Sequence, residues 1–267
     1  LYKRLTTHAH NNVRNSLAAS LHQMAKLIGS KAACQDLIPV SDQFFRDTCV
    51  DVTATMLEHM DEFWLMLPVE AAREQLLRVP ALWLTNYAHE WRLRQSIAAH
   101  IPALIPTMLL DDEDGCLITL SLLALNDPVN ALRNIGIQCV PITYRTFREH
   151  DETIADGFLS MLCDMAHAST SRQRTTFLNI VQSLLEHDLS RERFERLILP
   201  CLLELAVDGV SDVNIALART VQQVWLLGWY NNETMPAALR QVVATLLIAP
   251  TLTVQEFMQS LDPPILT

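Results

Sequence analysis

Glycine is scarce in this sequence: there are six in a chain of 267 residues, where average usage would give roughly 19. Glycine provides the backbone conformations of tight hairpins and of phosphate-binding loops. Its scarcity therefore argues against multi-stranded β architectures and Gly-rich nucleotide sites. Leucine, alanine, methionine and glutamine, which are strong helix formers, dominate the apolar and neutral positions. We expect a protein built from long helices.

The sequence also lacks an excess of basic residues. Twenty lysines and arginines against thirty acidic residues give a net charge of −10. This is the wrong sign for a protein whose affinity comes from neutralising phosphates, so we expect no nucleic-acid binding. Half of the residues are apolar, which is too many for intrinsic disorder.

Paired-cysteine motifs and long apolar runs are absent as well. The longest apolar segment, residues 117–125, is broken by Thr119 and Ser121 and is less than half of the ~20 residues that a membrane span needs. The cysteines stand singly and predict reduced, buried thiols of a cytoplasmic or nuclear protein: Cys34, Cys49, Cys116, Cys139, Cys163 and Cys201. Because the chain begins at Leu1, we expect it to be the C-terminal part of a longer polypeptide.

A repeat of about 40 residues runs through the chain. Its anchor is a dipeptide that opens a helical pattern, and the second members of successive anchors lie 39 to 41 residues apart. The seven anchors are Val13-Arg14, Val52-Thr53, Leu93-Arg94, Leu132-Arg133, Gln173-Arg174, Val213-Asn214 and Val254-Gln255. Apolar residues follow at the three- and four-residue spacing of an amphipathic helix, as in Ile97/Ala98 and Phe177/Leu178.

Each repeat contains two helices. Between anchors lies a further apolar helical segment, for example residues 115–125, 156–166 and 194–207. Asp47, Asp127 and Asp208 stand six residues before their anchors' second members, where aspartate can accept hydrogen bonds from the next helix's free N–H groups. A helical hairpin with this period is typical of HEAT repeats. We predict an all-α protein, a right-handed α-solenoid of about seven HEAT repeats forming one domain over residues 1–267, whose second helices begin near the seven anchors.

The polar clusters offer little chemistry. His8 and His10 do not share a helix face, so a turn is favoured over a metal site. Cys163 and His167 share a face but have no further ligand nearby, which favours a packed thiol and a surface imidazole. The acidic run 111–114 precedes an apolar helix and fits a helix N-terminus better than a cation site. Without a nucleotide, hydrolase or metalloprotease motif, we expect no catalysis, no metal and no cofactor.

The turns before the second helices carry the residues that stand out. Trp91 and Arg92 belong to the types most enriched at binding hot spots, although Trp91 could equally pack under the neighbouring repeat. Stacked repeats align such turns along one edge. The equivalent turns contribute Val129, Asn130, Arg172, Val210 and Asp212 as further candidate partner-binding residues.

Several stretches resemble, in the same order, the HEAT-repeat scaffold and regulatory subunits of 2A-class serine/threonine protein phosphatases. They are residues 12–19 with 27–29, 91–94, 127–133, 199–213 and 217–221. The resemblance is greatest to regulatory subunits of the type 4 enzyme, and next to the scaffold subunit of type 2A. Thr53 and Asn214 stand where the pattern has arginine, Asn130 replaces an aromatic, and residues 251–260 match poorly.

The resemblance implies a non-catalytic scaffold whose turns hold a phosphatase catalytic subunit. A further regulatory subunit or a phosphoprotein substrate would be additional partners, and no membrane is expected. Three alternatives stay open: a nuclear transport receptor, for which the acidic charge is suitable, another protein-interaction scaffold such as one on the ribosome or chromosome, and a helical enzyme.

Overall fold

The structure is a computed structural model that describes residues 2–187, 189–231, 233–249 and 254–255. These residues form helices, turns and irregular segments, and no strand occurs among them. Helices that follow one another in sequence pack together, so the predicted α-solenoid class is confirmed. The chain divides into two compact units, of which the first ends at Cys139 and the second begins at Val140. The prediction of a single domain stays a prediction.

The first unit contains nine complete helices among its described residues and the beginning of a tenth. They are α1 (Tyr2–Leu5), α2 (Asn11–Ile28), α3 (Ser30–Phe44), α4 (Val50–Leu57), α5 (Met60–Trp64), α6 (Val69–Leu76), α7 (Val79–Leu84), α8 (Trp91–Met108), a 3₁₀ turn (Leu109–Asp111), α9 (Cys116–Asn126) and α10 (Asn130–His150). Second helices pack on one another here, α2 on α4 and α4 on α8.

The second unit continues from within α10 by the same plan. Its elements are α11 (Glu152–Cys163), a 3₁₀ turn (Asp164–His167), α12 (Ser171–Glu186), α13 (Arg191–Arg193), a π-helical turn (Phe194–Ile198), α14 (Leu199–Leu205), α15 (Ser211–Leu226) and α16 (Ala237–Leu247). The second helices α12 and α15 form its most extensive pairing.

The positions of the second helices are confirmed for six repeats. Helices α2, α4, α8, α10, α12 and α15 each begin two residues before the predicted anchor. Val254 and Gln255 are helical, but residues 251–253 and 256–260 of the predicted seventh unit lie outside the described residues.

The apolar stripe after each anchor forms the core. Ile97, Ala98 and Phe177 are completely buried, because residues three and four positions after an anchor share a helix face. The prediction is less accurate for Leu17 and Ile137, which are only half-buried.

Proline accompanies a break in the first helix of two repeats, the third and the sixth. Helix α6 ends at Leu76, and α7 begins at Val79 with Pro80 in its first turn. Proline has no N–H to donate and its ring crowds the carbonyl four residues earlier, which favours a break at this position, although α3, α8 and α10 continue through Pro39, Pro102, Pro106 and Pro141. In the sixth repeat the π-helical turn ends two residues before Pro200. Periodicity predicted one unbroken segment over residues 194–207.

Gly136 lies where α10 passes close to the backbone of α9. A Cβ atom built on Gly136 would lie 2.8 Å from the backbone nitrogen of Leu125, whereas one on Gly157 of α11 would meet nothing within 4 Å. Backbone cannot move aside as a side chain can, so only glycine fits at position 136 without a shift of one helix.

These two glycines form a matched pair for mutagenesis. We expect Gly136→Ala to destabilise the protein by about 1–3 kcal/mol through overpacking. Gly157→Ala should stabilise it by roughly 0.5–1 kcal/mol, because alanine is the better helix former. Urea unfolding followed by circular dichroism measures both, and equal effects of the same sign would contradict this packing.

Candidate partner-binding turns

The candidate site consists of the turns that precede the second helices, together with the first two residues of those helices, and these segments are called entry turns below. Their residues are 8–12, 46–51, 85–92, 127–131, 168–172 and 208–212 in repeats one to six. The first four turns belong to the first unit, and the last two belong to the second.

A buried arginine links the third and fourth entry turns. The guanidinium of Arg94 donates from Nη1 to the carbonyl oxygens of Tyr87 and Ala88 in its own turn, at 2.8 and 2.6 Å. Its Nε donates to Asp127 Oδ2 in the next turn at 2.8 Å. The side chains of Arg94 and Asp127 are only 6% and 2% exposed, so each charge depends on the other for compensation.

The same arrangement occurs twice more. Arg14 donates to Asp47 at 2.7 Å, and Arg174 donates to Asp208 at 2.6 Å. In each case the arginine Nη1 also donates to two carbonyl oxygens of its own entry turn. We call these three pairs the Arg–Asp ties.

Each tied aspartate also organises the start of its own second helix. Asp47, Asp127 and Asp208 accept hydrogen bonds through Oδ1 from the backbone N–H two residues later, all at 2.8 Å. The predicted acceptor role is found, but the donor is the residue immediately before each second helix and not one of the helix's own free N–H groups. The arginine partner from the preceding repeat was not predicted. The hydrogen bond from Arg14 is the main cause that lowers the pKa of Asp47, against the opposing effect of burial.

The two positions without the expected arginine form a single bond to a nearby carbonyl oxygen, at the end of the preceding helix for Thr53 and within the turn for Asn214. Thr53 donates through its hydroxyl to the carbonyl oxygen of Phe44 at 2.9 Å. Asn214 donates through Nδ2 to the carbonyl oxygen of Asp208 at 3.1 Å. Between the second and third turns, the Tyr87 hydroxyl donates to the Phe45 carbonyl oxygen at 2.8 Å. Burial raises the pKa of Tyr87, which keeps this donor protonated.

Trp91 and Arg92 occupy the first turn of α8 and lie on the surface. Trp91 is 37% exposed, and the Arg92 guanidinium carbon stands 4.8 Å from the centre of its ring. This is the geometry of a cation–π pair. Leu93 beside them is buried, as the periodicity predicted. The alternative in which Trp91 packs under the neighbouring repeat does not describe this exposed position.

The other predicted residues fall into two sets. In the first unit, Asn130 is exposed and Val129 is half-buried, and the tie between Arg94 and Asp127 holds their turn beside that of Trp91. In the second unit, Arg172 and Asp212 are exposed and Val210 is half-buried, beside the tie between Arg174 and Asp208. Their role in binding stays a prediction.

Clefts that sequence patterns did not predict lie between the first three entry turns. One of about 400 Å³ lies between the first and second turns, and one of about 130 Å³ lies between the second and third. The exposed side chain of Arg46 lines both, together with a third cleft of about 350 Å³ beside Arg78. Arg46 has no counterpart in the repeat pattern, so periodicity could not identify it.

The polar clusters considered in the sequence analysis form a turn, a helix start and exposed ion pairs. His8 and His10 lie in the first entry turn, with ring centres 5.4 Å apart. Asp112 accepts a bond from Leu117 N at the start of α9, which fits the helix-terminus interpretation, while Glu113 and Asp114 pair with Arg73.

The six cysteines are unpaired, as predicted, but only Cys116, Cys139 and Cys201 are buried, while Cys34, Cys49 and Cys163 are half-buried. Cys163 and Cys201 both direct their thiols at the Leu197 carbonyl oxygen, and the Cys163 thiol lowers the pKa of Cys201 to about 7. His167 instead forms an exposed ion pair with Glu204. No helix among the described residues combines the length and apolar character needed to cross a bilayer.

The Arg–Asp ties should contribute far more to stability than exposed ion pairs. We expect Arg94→Ala to lower the free energy of unfolding by about 3–5 kcal/mol, because it leaves the Asp127 carboxylate buried without its partner. Lys3→Ala breaks the pair with Asp36, whose side chains are more than half exposed, and should cost less than about 1 kcal/mol. Urea denaturation of both variants provides the measurement, and similar losses would contradict the ties' structural role.

Comparison with known proteins gives one informative similarity. The chain is 26% identical over 228 residues to serine/threonine-protein phosphatase 4 regulatory subunit 1 from Homo sapiens, and equally to those from Mus musculus and Rattus norvegicus. The match covers 84% of this chain and 24% of each relative, so the chain spans about a quarter of their length. No family model matches the sequence.

Solved structures show weaker likenesses. An engineered protein has a TM-score of 0.46 at 13% identity, with 96% of this chain and 65% of that chain covered. A designed armadillo repeat protein in complex with a (KR)4 peptide has a TM-score of 0.42 at 12% identity, with 99% and 98% covered. Neither is close enough to bear on function. The curated relatives confirm the resemblance inferred from sequence. The similarity to the type 4 phosphatase regulatory subunit extends over 84% of this chain.

Proposed function

We propose that this chain is a non-catalytic scaffold that binds the catalytic subunit of a 2A-class, type 4-like serine/threonine phosphatase through its entry turns. The supporting observation is its similarity to phosphatase 4 regulatory subunit 1 over 84% of the chain. The match covers about a quarter of that relative, so the phosphatase partner is part of this proposal. A further regulatory subunit or a phosphoprotein would join this assembly in the cytoplasm or nucleus.

The chemistry of the entry turns suits this role. Trp91 offers a large apolar ring and Arg92 an exposed charge, at the adjacent first two positions of α8. Residues of these types supply much of the binding energy at protein interfaces when a partner covers them. The Arg–Asp ties fix the turns before binding, which reduces the conformational entropy that association must overcome.

The binding surface can be tested with a double variant. Trp91→Ala combined with Arg92→Ala should weaken binding of the phosphatase 4 catalytic subunit by about thirtyfold or more, because truncating a hot spot costs ~2 kcal/mol or more. The affinity is measured by biolayer interferometry with the purified subunits. The helical circular dichroism signal and the Tm should stay nearly unchanged.

Two controls separate binding from folding. Arg219→Ala removes another exposed charge, on α15 outside the entry turns, and should leave the affinity unchanged. Ile97→Asp places a charge at a completely buried position and should unfold the chain. Full affinity of the double variant would exclude these turns as the interface, and its unfolding would show that Trp91 is a core residue. Binding of a Ran-type GTPase instead of the phosphatase would favour the transport-receptor alternative.

A further inference from the structure

We propose that His22, His59 and Glu62 form a binding site for a divalent transition-metal ion of the zinc type. One ligand atom from each of the three residues lies within 4.8 Å of the other two. His22 lies in the second half of α2, His59 precedes α5, and Glu62 lies within α5. Two imidazoles and one carboxylate are a ligand set that zinc uses in proteins, with a further coordination position left for water.

His22 is the residue that most needs an explanation. It is 6% exposed, yet its Nδ1 is buried without a hydrogen-bond partner. Buried polar atoms are nearly always paired, since an unpaired one loses its hydration without compensation. Burial, and next the nearby His59, lower the pKa of His22. The imidazole is therefore neutral at physiological pH, the form that coordinates a metal.

His59 and Glu62 complete the set from the other side. The two imidazole rings of His22 and His59 lie with centres 4.0 Å apart, and His59 Nδ1 is 3.1 Å from Glu62 Oε1. Lys26 and His59 lower the pKa of Glu62 to about 2, so the carboxylate is ionised. His59 and Glu62 are half-buried, which leaves an entry path from solvent.

Tetrahedral coordination requires only a small contraction. Zinc–nitrogen and zinc–oxygen bonds of about 2.0–2.2 Å place neighbouring ligand atoms roughly 3.4 Å apart. The present separations of up to 4.8 Å close to that value by side-chain rotation, because His59 and Glu62 are not fully enclosed.

Lys26 competes with the metal for Glu62. Its Nζ lies 2.6 Å from Glu62 Oε2, and both side chains are about half exposed. Without metal, the ammonium group neutralises the carboxylate. Metal binding replaces that charge, and the flexible lysine side chain swings into solvent. A variant without this ammonium group should therefore bind metal more tightly.

Sequence patterns did not predict this site. His22 and His59 are 37 residues apart, and no short motif contains both. The repeat brings them together because α2 packs on α4 and α5. A bound metal would join the first two repeats. His22 lies about 16 Å along α2 from the helix start, so this proposal is independent of phosphatase binding at the entry turns.

The test is zinc binding by the purified chain. Isothermal titration with Zn²⁺ should give one site, and the Tm should rise when zinc is added. His59→Gln and Glu62→Gln should each weaken binding at least tenfold and abolish the rise in Tm. Both positions are half-buried, so these variants should fold even if the buried His22→Gln does not.

Two further variants make the test specific. Lys26→Met should strengthen zinc binding severalfold, which a non-specific surface site would not show. His8→Gln with His10→Gln removes the exposed histidine pair of the first entry turn and should leave the affinity unchanged. Absence of a one-to-one zinc complex would overturn the proposal, as would loss of binding in the His8/His10 variant or unchanged binding in the Glu62 variant. The expectation from the sequence, that the chain holds no metal, would then stand.

Discussion

A buried guanidinium group is stable only when its N–H groups find acceptors and its charge is compensated. This requirement determines how successive repeats are joined. Arg14, Arg94 and Arg174 each reach two carbonyl oxygens of their own turn and a carboxylate in the next. The carboxylate in turn receives a backbone N–H at the start of the next helix. One side chain therefore fixes the start of its own helix, the turn before that helix and the position of the next repeat's turn.

This network supports the proposal that the entry turns bind a partner. Loops usually lie on the surface and are more mobile than the helices they connect. Here the buried pair of Arg94 and Asp127 holds the turn in place from the interior. Trp91 and Arg92 can therefore stay on the surface. The turns combine the accessibility of loops with the precision of helix ends, which suits the proposed role in binding a protein.

Local patterns predicted most of the fold. The spacing of Val52, Leu93 and Val213 placed the second helices to within two residues, since helix phase follows directly from periodicity. Asp127 could be assigned to a helix start because that bond spans two residues. Contacts across repeats escaped prediction: the arginine partners lie 33 or 34 residues away, and the cluster of His22 and His59 requires packing between repeats. Pro80 lies where one helix ends and the next begins, and the spacing of apolar residues does not reflect proline's missing N–H donor.

The Arg–Asp ties also reveal a longer period in the chain. Arg14, Arg94 and Arg174 are each 80 residues apart, and their ties join repeats one with two, three with four, and five with six. Between repeats two and three, the Tyr87 hydroxyl and the Phe45 carbonyl oxygen form an uncharged bond instead. An insertion or deletion of 80 residues would therefore leave each tied arginine in register with its aspartate.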